Sequence, residues 1–122
     1  KRMYSQNQFA RICIINMLRE SLQLDKIIEL MQYINGTLSD ESDDLIGDGE
    51  LYHRYVDMLA GLDASQLDDH AINIAAEVAS ADYTEPTEGA KQRLKKVLTV
   101  FAYAHFASVA RKKAELMLNG LE

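Results

Sequence analysis

Apolar residues recur at intervals of three and four along most of this 122-residue chain, the spacing that places side chains on one face of an α-helix. Clusters of Gly, Ser and Asp interrupt the pattern between these segments. The sequence contains no convincing alternation of apolar and polar residues of the kind typical of strands. It therefore predicts an all-α fold of about five helices, packed around a long C-terminal helix.

The last helix is predicted over residues 87–119, directly after the single proline, Pro86, at a position that proline tolerates. Its middle, residues 97–110, carries no charged side chain and is too short to cross a bilayer. We therefore expect the other helices to enclose it. Its small residues would also suit a seam between subunits, and the sequence does not choose. The apolar residues form two rows: Leu94, Val97, Leu98, Phe101 and Ala104 in the first, and Val100, Tyr103, Ala107 and Ala110 in the second.

Two helices precede the acidic middle of the chain. Ser5 with Gln8 forms a capping-box pattern at the start of the first, and a second helix follows after a short turn and stops at Gly36. Residues 1–35 are thus predicted to be a helical hairpin. We expect this hairpin to be continuous, as one domain, with the helical bundle of residues 36–122.

The third and fourth helices follow an acidic loop. Asp48 or Gly49 is expected to open the third, which covers residues 50–60. Ser65, with Asp68 three residues later, is expected to cap the fourth. The predicted inward row of the fourth helix consists of Leu67, Ala71, Ile74 and Val78.

The net charge of −6 is unevenly distributed. Residues 1–35 hold five basic and three acidic side chains, residues 36–88 hold one and fourteen, and residues 89–122 hold seven and two. The basic ends could pair with the acidic middle, within one chain or across a dimer. An acidic surface is a poor non-specific binder of nucleic acid, so any DNA contact would lie at the basic ends.

The single cysteine, Cys13, lies among isoleucines, which predicts a buried, unreactive thiol and agrees with a reducing compartment. The sequence shows neither a signal peptide nor a membrane-spanning segment. We therefore expect a cytoplasmic protein without membrane association.

Metal and catalytic motifs are incomplete. Residues 44–51 carry part of a calcium-binding loop, but Ile46 stands where an oxygen ligand is needed and Tyr55 replaces the bidentate glutamate. Glu50 and His53 have the spacing of a helical di-metal pair, which such sites need twice. There is no phosphate-binding glycine loop and no nucleophile motif. We therefore predict no metal, no cofactor and no enzyme activity.

His105 differs from the other histidines because it lies inside the charge-free run. It could be a core residue bonded to a carbonyl or hydroxyl group, or a ligand contact in a pocket with Tyr55 and Tyr103. No cysteine or carboxylate is near it in sequence, so we do not expect it to act as a base.

The order of charged and aromatic residues at the start of the chain is more specific than helical spacing. It runs Arg2-Met3-Tyr4-Ser5, Arg11-Ile12, Leu18-Arg19-Glu20 and Leu24-Asp25-Lys26-Ile27-Ile28-Glu29-Leu30-Met31. Over these 31 residues the chain resembles the second half of the DNA-binding domain of MerR-like transcription regulators. An amphipathic hairpin in a plain helical bundle would have the same apolar spacing, and that interpretation stays open.

The resemblance implies that residues 1–35 are a wing remnant followed by a supporting hairpin. It implies that Arg2 and Tyr4 contact DNA phosphates and that Arg19 lies near the DNA backbone, contacts that position a protein without reading sequence. The base-reading helix-turn-helix would then lie upstream of residue 1.

Two features depart from the MerR-like pattern. The turn Ser21-Leu22-Gln23 lacks the usual glycine, and the helical pattern breaks at Gly36 where the family continues into a long dimerisation helix. Both departures fit better a group of bacterial proteins of unknown function that begin with a MerR-like helix-turn-helix and end in a helical region of their own.

Our preferred hypothesis is a bacterial transcription regulator, of which this chain is a C-terminal portion that serves dimerisation or effector sensing. We expect DNA binding through an upstream segment and a homodimer formed through the long C-terminal helix. The alternative is a helical adaptor domain that binds another protein without binding DNA.

Overall fold

A computed structural model describes residues 6–35, 45–63 and 66–121. Within these ranges the chain forms five α-helices and no strand, which confirms the all-α prediction and the long last helix. The helices are α1 (Gln6–Arg19), α2 (Leu24–Asn35), α3 (Asp48–Ala60), α4 (Asp69–Ser80) and α5 (Ala90–Asn119).

The core is built on one face of α5, where Leu94, Leu98 and Phe101 are fully buried. α4 packs along α5, α1 packs along α3, and both α1 and α3 also contact α5. All five helices contribute to a single cluster of buried apolar side chains, so the N-terminal hairpin and the later helices share one core. Cys13 of α1 is half-buried, not fully buried as predicted.

The junction between α1 and the start of α3 is polar. Asp48 is the first residue of α3 and not its N-cap, and its buried carboxylate accepts a hydrogen bond of 2.8 Å from Arg11 Nε. The Gly49 amide donates to Asn7 Oδ1, also at 2.8 Å. A Cβ atom at Gly49 would lie only 2.9 Å from that oxygen, so a larger residue there would displace the Asn7 side chain and break this hydrogen bond.

The predicted inward row of α4 is wrong. The buried residues are Ile72, Ala76 and Ser80, whereas Ile74 and Val78 are 47% and 70% exposed. α4 thus presents Ile72 and two small side chains to the interior, and the small side chains let its backbone lie close to α5, whereas Ile74 and Val78 point outward. The helix is capped by Asp68, which accepts hydrogen bonds from the amides of His70 and Ala71, and the predicted cap Ser65 lies outside the described residues.

α5 begins at Ala90, three residues later than predicted. Gly89 precedes it with a φ of 84°, a left-handed conformation that glycine adopts without steric cost. The Glu85 carboxylate accepts a 3.0 Å hydrogen bond from the Lys91 amide, so it satisfies one of the free donors of the first turn. Among the described helices, none is apolar over a length that could span a membrane.

Candidate interaction surface

The residues predicted to contact DNA are only partly described. Arg2 and Tyr4 lie outside the described ranges. Arg19 is the last residue of α1, and its side chain is exposed. It is therefore accessible to a partner on the outside of the hairpin.

The structure does not bring the three predicted pocket residues into one cavity. Tyr55 is buried with its ring edge-on to Phe101, the ring centroids 5.5 Å apart, and burial raises the pKa of its hydroxyl to about 12. Tyr103 and His105 are two positions apart on α5, a rotation of about 200°, so they lie on nearly opposite faces of the helix. None of the three lines the largest groove formed by the described residues.

Tyr103 and His105 have different surroundings. The Tyr103 hydroxyl donates to the Asp69 carboxylate at the start of α4, and this hydrogen bond raises the pKa of the phenol. His105 is half-buried with its ring 6.0 Å from that of Phe106, and burial lowers its pKa. Tyr103 thus fixes the crossing of α4 and α5, and His105 has the environment of a neutral histidine at the margin of the core.

The largest groove lies between α3 and α4 and has a volume of about 750 Å³. Its apolar lining includes Met58 of α3 and Ala71, Ile74 and Val78 of α4. These three residues of α4 belong to the row that the sequence analysis placed in the interior. We call this cavity the α3–α4 groove. The sequence signal for it was present in the small residues Ala76 and Ser80, which are buried on the face of α4 that is turned to the core.

Arg54 closes one end of the α3–α4 groove. Its Nη1 donates to the Ala79 carbonyl at 2.8 Å and to Asp82, and its Nη2 donates to Glu50 at 2.8 Å. The guanidinium also lies 5.8 Å from the centre of the Tyr83 ring. Burial lowers the pKa of Arg54, but its hydrogen bonds to the two carboxylates outweigh that effect and raise it. Arg54 therefore joins α3 to the C-terminal end of α4 and keeps the groove walls together.

The rim of the groove is acidic. Glu50, Asp57, Asp68 and Asp82 line it together with the single cation Arg54, which gives a net charge of −3 when its histidines are neutral. Glu50 and Asp82 bind Arg54, and its proximity lowers the pKa of Asp82. Within the described part of the chain, Asp57 forms an ion pair only with His53, at 3.4 Å, and its side chain is 68% exposed, so its charge remains largely available to a partner.

A second uncovered surface runs along α5. Val100 is half-buried and Tyr103 is 37% exposed. The later residues on the same face of α5 are exposed, and Met117, the last of them, is 70% exposed. Their intervals alternate between three and four, the repeat by which one helix packs along another. We call this the α5 row: Val100, Tyr103, Ala107, Ala110, Ala114 and Met117.

Beyond Ser108, α5 extends past the other described helices. Every residue from 110 to 119 is exposed, and we call this segment the projecting end. At its base, Glu20 accepts hydrogen bonds from Ser108 Oγ and from Lys112 Nζ, the latter at 3.1 Å. These contacts lower the pKa of Glu20. Arg111 donates to the Glu20 carbonyl at 3.0 Å, so α5 is fastened to the end of α1 where it leaves the bundle.

The described residues offer no metal site. Nowhere in residues 6–35, 45–63 and 66–121 do three His, Cys, Asp or Glu side chains come close enough together to hold an ion. The Glu50 and His53 pair is divided between Arg54 and Asp57, and Asp48 of the calcium-like loop binds Arg11.

Comparisons with known proteins add no relative. No protein-family model matches the chain, and neither the curated proteins nor the solved structures contain a match.

Proposed function

We propose that this chain is the self-association portion of a bacterial DNA-binding transcription regulator. The α5 row is the observation that carries the proposal. From Ala107 to Met117 the row keeps the three-and-four spacing of a helix-packing surface over about three turns, and no other described helix covers these turns. Large apolar surface that a chain does not cover itself marks an interaction site more often than chance exposure.

The small side chains of the row favour a helix as its partner. Ala107, Ala110 and Ala114 present little more than backbone, so another helix could lie close against them. MerR-like regulators, which residues 1–31 resemble, read two half-sites, and a two-fold dimer supplies the matching symmetry. The exposed Arg19 is consistent with a hairpin that faces DNA phosphates.

Selection of DNA by the natural gene product tests the regulator proposal. Randomised duplexes are incubated with the purified protein, and the bound fraction is sequenced over several rounds. We expect enrichment of an inverted repeat, and we expect Met117→Asp to lose it because a monomer holds only one half-site. Leu116→Asp is the matched control, since Leu116 is equally exposed, at 72%, but lies about 100° from the row.

A helical adaptor domain is the second candidate. The α3–α4 groove favours it, because an apolar floor with an acidic rim suits a basic amphipathic helix of another protein. The same selection separates the two candidates. Failure to enrich any DNA sequence, together with retention of the dimer, would favour the adaptor and contradict the regulator.

A further inference from the structure

The two uncovered apolar surfaces carry opposite charges. The α3–α4 groove has a net charge of −3 on its rim. The projecting end of α5 carries Arg111, Lys112 and Lys113 against a single acid, Glu115. Lys113 is exposed and makes no ion pair with any described residue, so its charge is available to a partner. A basic apolar helix end and an acidic apolar groove are thus present on the same chain.

The two surfaces also agree in length and register. Ala110, Ala114 and Met117 span seven residues of the projecting end, and Ala71, Ile74 and Val78 span seven residues of the groove floor. Seven helical residues rise by about 10 Å, so both rows have the same length. Each row shows one apolar side chain per turn, which permits the two to interdigitate.

Both surfaces lie at the same end of the bundle. Tyr103 meets Asp69 at the start of α4, and Lys95 meets Glu77 nearer its end, at 3.7 Å, so α5 runs antiparallel to α4. The projecting end therefore leaves the bundle beside the start of α4. The groove reaches the same place, because Asp68 and Gly61 line it there.

The end of α5 cannot fill the groove of its own chain. α5 is one continuous helix from Ala90 to Asn119, so its last turns point away from α3 and α4. A helix end of this charge can enter the groove only from another molecule. Two copies facing each other across a two-fold axis would each bring a projecting end to the other's groove.

We infer that the projecting end of α5 from a second copy of this chain occupies the α3–α4 groove, and that the two copies exchange these ends reciprocally. The inference rests on the proposed dimer and identifies the surfaces that form its interface. The incoming helix runs parallel to α4 of its partner, with Met117 against Val78 and with Lys113 toward the acidic rim.

Disulfide trapping tests the seam directly. In a Cys13→Ser background, Met117→Cys together with Val78→Cys should give a covalent dimer under mild oxidation. Met117→Cys alone is the matched control and should remain a single chain on a non-reducing gel. A covalent dimer from Met117→Cys alone, with no increase on adding Val78→Cys, would place two α5 rows against each other and overturn the inference while leaving the dimer intact.

Charge exchange gives an independent test that does not depend on folding of one variant. Lys113→Glu and Asp57→Lys should each raise the dimer dissociation constant by about ten-fold, the effect of about 1.4 kcal/mol. An equimolar mixture should recover affinity as a heterodimer, because each reversed charge then meets its reversed partner. Weakened dimers that the mixture does not restore would contradict the exchange of ends.

Light scattering of the unaltered chain separates failure of the inference from failure of the proposed function. A dimer whose mass stops increasing with concentration is expected from reciprocal exchange, and continued growth would indicate open, head-to-tail chains and overturn reciprocity. A monomer at all concentrations would contradict the proposed function itself. A dimer that survives both Val78→Asp and Asp57→Lys would contradict only the groove as its seam.

Discussion

α5 is one helix with two unlike parts. Residues 90–108 carry nine buried positions, and Leu94 and Phe101 are fully enclosed by α1, α3 and α4. Residues 110–119 contain Leu116, Met117 and Leu118, yet all are exposed. The two parts do not differ by helix continuity or by lack of apolar residues. They differ by whether other helices of the chain reach them, so apolar character alone does not tell core from interface.

Truncation of a large side chain in each part should reveal this difference most strongly. Phe101→Ala should lower the free energy of unfolding by about 3–5 kcal/mol, because it leaves a cavity beneath Tyr55. Met117→Ala should change it by less than about 0.5 kcal/mol. Urea unfolding followed by circular dichroism measures both, at a concentration low enough that association does not contribute.

Equal losses for the two variants in that measurement would contradict the division of α5. A large loss at Met117 in dilute solution would mean that the projecting end packs against its own chain. A small loss at Phe101 would mean that the first part of α5 is not the centre of the core.

The sequence predicted the helices well and their orientation less well. Leu94, Leu98 and Phe101 were assigned inward correctly because the rest of the chain must cover a helix whose middle has no charge. The same reasoning failed for Ile74 and Val78. Hydrophobicity favours the larger side chains for the interior. On α4, however, the small residues Ala76 and Ser80 are buried, and their size allows the backbone of α4 to lie close to α5.

Arg54 holds α4 in place against α3. Arg54→Met should lower the free energy of unfolding by about 2 kcal/mol, because the Ala79 carbonyl and two carboxylates lose their donor. α4 covers the first part of α5, so we expect hydrogen exchange to accelerate there. The projecting end should be unaffected.

Arg19→Met is the matched control for Arg54→Met, since it removes a guanidinium from an exposed position at the end of α1. We expect its free energy of unfolding to change by less than about 0.5 kcal/mol. The same loss in both variants would show that the chain responds to its net charge and not to the Arg54 contacts.

A glycine flanks each end of α5, and the same substitution at the two glycines should have a smaller effect on stability than the changes above. Gly89→Ala should cost about 1 kcal/mol, because Gly89 has a φ of 84° that alanine adopts with strain. Gly120→Ala should be nearly neutral, because Gly120 has a φ of −84° and an added Cβ would meet only ordinary contacts. Thermal unfolding of the two variants checks this, and a lower midpoint for Gly120→Ala would contradict it.

The candidate surface was less predictable than the fold. The second apolar row of α5 was visible in the sequence, but its role depends on which helices lie beside it, and that is decided by packing. Tyr55, Tyr103 and His105 were grouped by chemistry, and the fold separates them because Tyr55 points into the core while Tyr103 and His105 lie on nearly opposite faces of α5. Arg54 was missed, since its partners Ala79 and Asp82 lie on another helix and in the turn that follows it.

The boundary between the two parts of α5 gives the smallest effect and the clearest dependence on pH. Glu20 receives Ser108 and Lys112 there, and these contacts hold the pKa of its carboxyl below the ordinary 4.5. A carboxyl whose pKa is lower in the folded state stabilises that state at neutral pH and loses this contribution as the pH falls through 4.5 toward the lowered value. Glu20→Gln should therefore be less stable than the unaltered chain at pH 7, and the difference should close in acid. Half-buried His105 is present in both proteins, but the Glu20 charge raises its pKa, so protonation of His105 widens the difference until Glu20 is itself protonated. A difference that stays constant from neutral pH to below 4 would mean that the Glu20 charge does not fasten α5, and that the boundary is set by packing alone.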